Sequence, residues 1–162
     1  MHTLVDGYNV LYAMPEFHDR SIGRDIEEGR KLLAERLMRY ARVSGGRVTL
    51  VFDARGRDSE TVAMQGTMRM AFSPDADEFI AEAVRVSGAP GSMSVVTSDR
   101  RLREEVEGLG GRCEGPRRFL ARVKMAVRGK GEDIEKPGVP TDDEVGEWLK
   151  EFGFAEDEGE DE

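Results

Sequence analysis

Aspartate stands at the end of one short apolar run after another in this chain, and that placement is where chemistry is first sought. Asp6 closes Thr3-Leu4-Val5, and Asp53 closes Val48-Thr49-Leu50-Val51-Phe52. Asp75, Asp77 and Glu78 follow the run that holds Met68, Met70 and Phe72, and Asp99 follows Ser94-Val95-Val96-Thr97. If these runs are parallel strands joined by right-handed crossovers, their carboxyl ends share one edge, where open α/β sheets bind ligands. Such a cluster is unfavourable by itself: two like charges ~4 Å apart repel by roughly 4 kcal/mol at an effective dielectric near 20. A divalent cation relieves that repulsion. Mg²⁺ takes hard oxygen ligands, often one or two carboxylates plus substrate phosphate. It polarises phosphoryl oxygens and lowers the pKa of a coordinated water, so an acidic ring points to phosphodiester hydrolysis. Each carboxylate also has a structural reading. Asp6-Gly7 suits a turn, Asp53 a cap or turn, and Asp75, Asp77, Glu78 and Asp99 suit helix N-termini. Caps do not account for Asp6 and Asp53 on strand tips.

The elements that would position these residues alternate in the manner of an α/β domain with a mainly parallel sheet. A loop is expected after the first strand, then a helix over 24–43 with Ile26, Leu33, Leu37, Tyr40 and Ala41 on one side, stopped by Gly45-Gly46. The second strand is apolar enough to be covered on both faces. Residues 55–66 are polar and receive no assignment, and the strand with Met68, Met70 and Phe72 is the third. A helix opens at Ser73-Pro74-Asp75 and stops near Ser87-Gly88. After the fourth strand comes a helix with Leu102, Val106 and Leu109, ended by Gly110-Gly111. Arg112-Cys113-Glu114 forms a fifth, edge strand, and a last helix starts at Pro116 with Phe119, Leu120, Val123 and Val127. The expected domain runs over 1–130, with a linker over 131–140. An amphipathic helix over 141–153 carries Val145, Trp148, Leu149 and Phe152 behind a capping box at Thr141-Asp142-Asp143-Glu144. Folding back on the body is the favoured role of this helix, and partner docking the alternative. An acidic tail over 154–162 is expected to be disordered.

Composition excludes several classes. No apolar run nears the ~18 residues of a membrane span. No basic-then-apolar leader opens the chain, so a cytoplasmic location and no membrane partner are expected. One cysteine, Cys113, and two histidines, His2 and His18, do not make a structural zinc site. The net charge of −9 hides a split: residues 132–162 hold 14 acids and 2 bases, a local −12, while the rest holds 19 acids and 22 bases, or +3. The body therefore retains an attraction for phosphate. The split also suggests that the tail competes with RNA for the basic surface, in which case deleting residues 153–162 tightens RNA binding at low salt.

Four motifs together carry a family resemblance: Asp6-Gly7-Tyr8-Asn9, Val51-Phe52-Asp53-Ala54, Ala76-Asp77-Glu78-Phe79-Ile80 and Val96-Thr97-Ser98-Asp99. In this order and spacing, over about residues 4–128, the chain resembles the YacP-like NYN-domain nucleases, a branch of the PIN-like ribonucleases. The resemblance implies a PIN-like three-layer α/β/α fold with a central, mainly parallel sheet of four to five strands. It also implies an endoribonuclease activity dependent on Mg²⁺ or Mn²⁺, acting in some bacterial relatives on ribosome-associated mRNA. Carried over position by position, Asp6, Asp77 and Asp99 would be the principal metal-site carboxylates and Asp53 a supporting one. Asn9 would orient Asp6, a water or the scissile phosphate. Hydrolysis would leave 5′-phosphate and 3′-hydroxyl ends.

Basic residues suited to RNA surround this set. Arg55 and Arg57 follow Asp53, and Arg100 follows Asp99. Residues 117–130 hold Arg117, Arg122, Lys124 and Arg128 among six bases and no acid, against the alternative of an ordinary solvated face. Tyr8 and Tyr12 flank the proposed site, with packing the favoured role and base stacking the alternative. The competing functional reading is a non-catalytic RNA- or ribosome-binding module on the same fold. A haloacid-dehalogenase-like phosphatase would place a second Asp two residues after Asp53, where Arg55 stands. A dinucleotide-binding domain would need a Gly-x-Gly-x-x-Gly after the first strand, and none is present.

Overall fold

The short apolar runs become strands and the long periodic stretches become helices, alternating from Met68 onward. The computed structural model describes residues 1–18, 26–54 and 61–130. Arg55 and Arg57 lie outside the described residues, as do the linker 131–140, the helix 141–153 and the tail 154–162 expected from sequence. The strands are β1 (His2–Asp6), β2 (Arg47–Asp53), β3 (Thr61–Gln65), β4 (Met68–Ser73), β5 (Met93–Val96) and β6 (Arg112–Glu114). The helices are α1 (Gly7–Ala13), α2 (Pro15–His18), α3 (Ile26–Ser44), α4 (Ala76–Arg85), α5 (Arg100–Gly108) and α6 (Pro116–Lys130).

The six strands form one sheet in the order β3-β4-β2-β1-β5-β6. Five of them run parallel, and β3 pairs antiparallel with β4 at one edge. This edge strand is the addition to the four or five strands expected. Thr61-Val62-Ala63-Met64-Gln65 has too little apolar character to stand out, and what fixes it is a tight hairpin. Gln65 pairs with Met68 across Gly66-Thr67, and Gly66 supplies the positive φ of 60° that such a two-residue loop needs.

Successive residues point to opposite faces of the sheet. Val5, Leu50, Phe52, Met70 and Val96 pack beneath α1, α3 and α6. Leu4, Val51, Ala71 and Val95 pack beneath α4 and α5. The result is the three-layer α/β/α architecture. Among the described residues, no helix is long and apolar enough to cross a membrane.

The loop expected after β1 is instead a helix. Gly7-Tyr8-Asn9 has loop-like composition, but Val10 and Leu11 bury completely against the sheet. Gly7 makes that packing possible: a Cβ there would sit 2.5 Å from the Phe52 ring and 2.7 Å from the Val51 carbonyl. The Asp6-Gly7 pair is thus a strand-to-helix junction pressed onto β2.

The order of the strands also locates a crevice. From β1 the chain builds outward through β2 and β4, then crosses back to lay β5 and β6 on the other side of β1. Connections leave β1 and β5 toward opposite faces, so the sheet opens between their carboxyl ends.

Candidate active site

Asp6 ends β1 at that opening, 5 % exposed. It stands at the N-cap of α1 without capping it, because its side chain is held from two other directions. Asn9 Nδ2, one turn along α1, donates to Asp6 Oδ2 at 2.7 Å. Thr97 Oγ1, at the end of β5, donates to the same oxygen at 2.9 Å. Asn9 in turn accepts from the Ser98 amide at 3.2 Å and from the Ser98 hydroxyl. Thr97 Oγ1 also accepts from the Asp99 amide at 3.0 Å. Two short polar side chains therefore lock the tips of β1 and β5 together.

Asp99 caps α5, accepting from the amides of Arg101 and Leu102 at 2.9 and 3.2 Å through Oδ1. Asp75 caps α4, accepting from the Glu78 amide at 3.1 Å. Both capping readings hold for these residues, and both still face the crevice. Asp6, Asp53, Asp75, Asp77 and Asp99 all line one cleft of about 520 Å³, together with Asn9, Tyr8, Tyr12 and Arg30. Glu78 does not line it; its carboxylate turns to Arg85 at 3.5 Å. Arg100 is exposed at the start of α5, also outside the lining.

The carboxylates feel one another. Desolvation in the cleft, then the charges of Asp6 and Asp99, push the Asp77 carboxyl up to about 6, and a hydrogen bond with the Asp99 side chain adds to the rise. Burial raises Asp6 as well, opposed by the hydrogen bonds from Thr97 and Asn9. Asp53 carries a different signature. Its Oδ1 is buried with no hydrogen-bond partner among the described residues, an unsatisfied acceptor of a kind that native structures rarely leave without reason.

These features bear on a divalent cation. The donors are hard carboxylate oxygens, mutually repelling, with one orphaned acceptor on the cleft wall. Among the described residues, no three Asp, Glu, His or Cys side chains already close on one point as a ligand set. That arrangement does not suit a cation held by protein alone. It does suit Mg²⁺ or Mn²⁺ taken by one or two carboxylates, with water and substrate oxygens completing the shell.

The basic residues of α6 divide. Arg117, Lys124 and Arg128 line a second hollow of about 680 Å³ with Leu120, Val123 and Val127, bordered by Ala13 and Pro15. The three cations thus rim an apolar floor made by Leu120, Val123 and Val127. Arg122 points elsewhere. It pairs with Glu114 at 2.7 Å, donates to Tyr40 Oη at 2.7 Å and lies 5.4 Å from the centre of the Phe119 ring. Residues 117–130 hold no acid, but Glu114 stands just ahead of them, so Arg122 is a strut rather than a free phosphate contact.

Sequence reasoning passed over Thr97 and Arg30. A buried hydroxyl two residues before Asp99 was a usable signal for Thr97, given that a strand tip beside β1 needs a donor. Nothing near Arg30 in sequence distinguishes it from the other charges of a long helix.

Residues 3–151 match the model of the YacP-like NYN domain. The chain is 29 % identical over 130 residues to the uncharacterized protein YacP of Bacillus subtilis (strain 168), covering 77 % of this chain and 76 % of that one. It superposes on a crystal structure of Rae1 (YacP) from Bacillus subtilis with a TM-score of 0.67 and 25 % identity, covering 94 % of this chain and 92 % of the other. A mutant of the same protein gives a TM-score of 0.67 over 91 % of this chain. The fold is therefore PIN-like and of nuclease type, and the match extends past α6 into residues 131–151. The chain belongs to the YacP-like NYN domain family.

Proposed function

We propose that this protein is an endoribonuclease that hydrolyses RNA phosphodiester bonds with the help of a divalent cation. The observation that carries the reading is the convergence of Asp6, Asp53, Asp77 and Asp99 from four segments of chain on one cleft, with Asp77 raised to about 6 by desolvation and by the charges of Asp6 and Asp99. Asp6 and Asp77 would hold Mg²⁺ or Mn²⁺ directly, with Asp99 and Asp53 supporting it through water. When bound, such an ion neutralises phosphate charge and lowers the pKa of a coordinated water. The chain's own part is to position. Thr97 and Asn9 fix Asp6 from two sides, so the carboxylate meets its ligand without a rotamer to lose. Ser98 fixes Asn9. Asp99, anchored by the α5 amides through Oδ1, presents its remaining oxygen.

RNA is the partner class we propose, mRNA in particular; the family resemblance of the motifs extends this to mRNA on the ribosome. Arg117, Lys124 and Arg128, exposed on α6, would add a general attraction for backbone phosphates. The test is incubation of purified protein with an unstructured RNA in Mg²⁺, Mn²⁺ or chelator. Cleavage that disappears with chelator and in Asp6→Asn and Asp77→Asn supports the reading. Binding without cleavage by the parent would replace it with a non-catalytic RNA-binding module.

A further inference from the structure

One corner of the cleft is built unlike the rest. Arg30, from α3, is the one cation lining it among the described residues. Its Nε donates to Tyr8 Oη at 3.0 Å. Its guanidinium carbon lies 5.7 Å from the centre of the Tyr8 ring and 6.0 Å from that of Phe52. Tyr8 is thereby held between a buried aromatic and a charged lid. Tyr12, one turn along α1, stacks on Tyr8 with ring centres 6.2 Å apart and planes 25° apart. Yet Tyr12 is 54 % exposed, so one face of an aromatic ring is open to solvent in the cleft that holds the carboxylates.

We propose that Arg30, Tyr8 and Tyr12 form a binding subsite for one unpaired nucleotide beside the carboxylates. The exposed ring of Tyr12 takes the base by stacking, which is tolerant of base identity because every base has a π-face. The bond to Tyr8 occupies Nε of Arg30, and the phosphate meets the two terminal nitrogens in the planar geometry that suits guanidinium. Tyr8 is the positioning residue: it supports the Tyr12 ring from behind and steers the guanidinium. A base buried in a duplex has no face to offer Tyr12, so the subsite selects single strands. This rests on the nuclease reading and adds the form of RNA that the site accepts.

The test uses the full chain and a short unstructured RNA oligonucleotide, with binding followed by fluorescence anisotropy in chelator and cleavage followed separately in Mg²⁺. Tyr12→Ala is expected to weaken binding about tenfold, and Tyr12→Phe, which keeps the ring, to stay within about twofold of the parent. A duplex of the same length is expected to bind more weakly and to ignore Tyr12→Ala. Arg30→Gln is expected to lower the slope of log affinity against log salt by about 0.7, the signature of one lost contact to a single strand. A merely loosened cleft would not change that slope. If the parent binds and cleaves but Tyr12→Ala and Arg30→Gln match it, the subsite is wrong and the nuclease reading stands. If the parent neither binds nor cleaves RNA, both fall.

Discussion

The cleft and the α6 hollow share helix α1, which sends Tyr8, Asn9 and Tyr12 into the first and Ala13 to the edge of the second. They are opposite in design. The cleft gathers carboxylates of one sign, some of them desolvated, and fixes Asp6 among them with hydrogen bonds from Asn9 and Thr97. The hollow spreads exposed cations around Leu120, Val123 and Val127. Charge costs most where water is excluded, so the first arrangement is stabilised by a ligand or by protonation, and desolvation together with the charges of Asp6 and Asp99 raises Asp77 to about 6. Exposed cations on α6 face no such penalty, and each contributes only a screened attraction. On the proposed function, chemistry would belong to the region of repelling carboxylates and general affinity to the exposed cations.

The largest expected effect breaks the cleft. Asp6→Asn or Asp77→Asn should lower RNA cleavage by at least about 100-fold, and Asn9→Ala by about 10- to 100-fold through loss of the bond that orients Asp6. Initial rates on one oligonucleotide in Mg²⁺ give the ranking, and an Asn9→Ala rate equal to the parent's would remove its role. Next comes the junction beneath the cleft. Gly7→Ala sets a methyl against Phe52 and the Val51 carbonyl, so a loss of about 1–3 kcal/mol is expected in denaturant unfolding.

Asp77 yields a smaller effect of opposite sign. Its carboxyl is raised from 3.8 to about 6, so the folded state binds the proton more tightly than the unfolded chain does. Stability is highest below that window and falls as pH climbs from about 4 through 6. In chelator at pH above 7, Asp77→Asn should therefore melt higher than the parent, and the difference should vanish near pH 4. A variant that melts lower at both pH values would contradict the repulsion. Smallest is the hollow. Removing Arg117, Lys124 or Arg128 should weaken RNA binding a few-fold and lower the salt slope by about 0.7 each. Arg122→Ala should leave that slope unchanged and cost about 1 kcal/mol of stability, since its partners are Glu114 and Tyr40.

Much of this is legible in the sequence alone. Asp6, Asp53 and Asp99 stand out because strand-terminal carboxylates in a parallel sheet must share an edge; β1, β2 and β5 are apolar runs, whereas β4 shows only the alternation of Met68, Met70 and Phe72. Helix α1 was not legible, because Gly7-Tyr8-Asn9 has turn composition and the helix is set by tertiary packing of Val10 and Leu11. Nor was β3, whose pairing depends on the Gly66 hairpin and not on hydrophobicity. Arg30 was hidden for a different reason. A charge on a long amphipathic helix has no local mark, and only the approach of α3 to α1 brings it over Tyr8. Arg122 misled because its partner Glu114 lies outside the stretch whose charges were counted.

The central claim is that Asp6 and Asp77 ligate one and the same divalent cation. Titration of Mn²⁺ against the RNA-free protein, followed by the loss of the free-ion paramagnetic resonance signal, tests it without any catalytic readout. Saturable uptake by the parent, weakened about tenfold or more in both Asp6→Asn and Asp77→Asn, is the expected result. Uptake by both variants at the affinity of the parent would contradict the account.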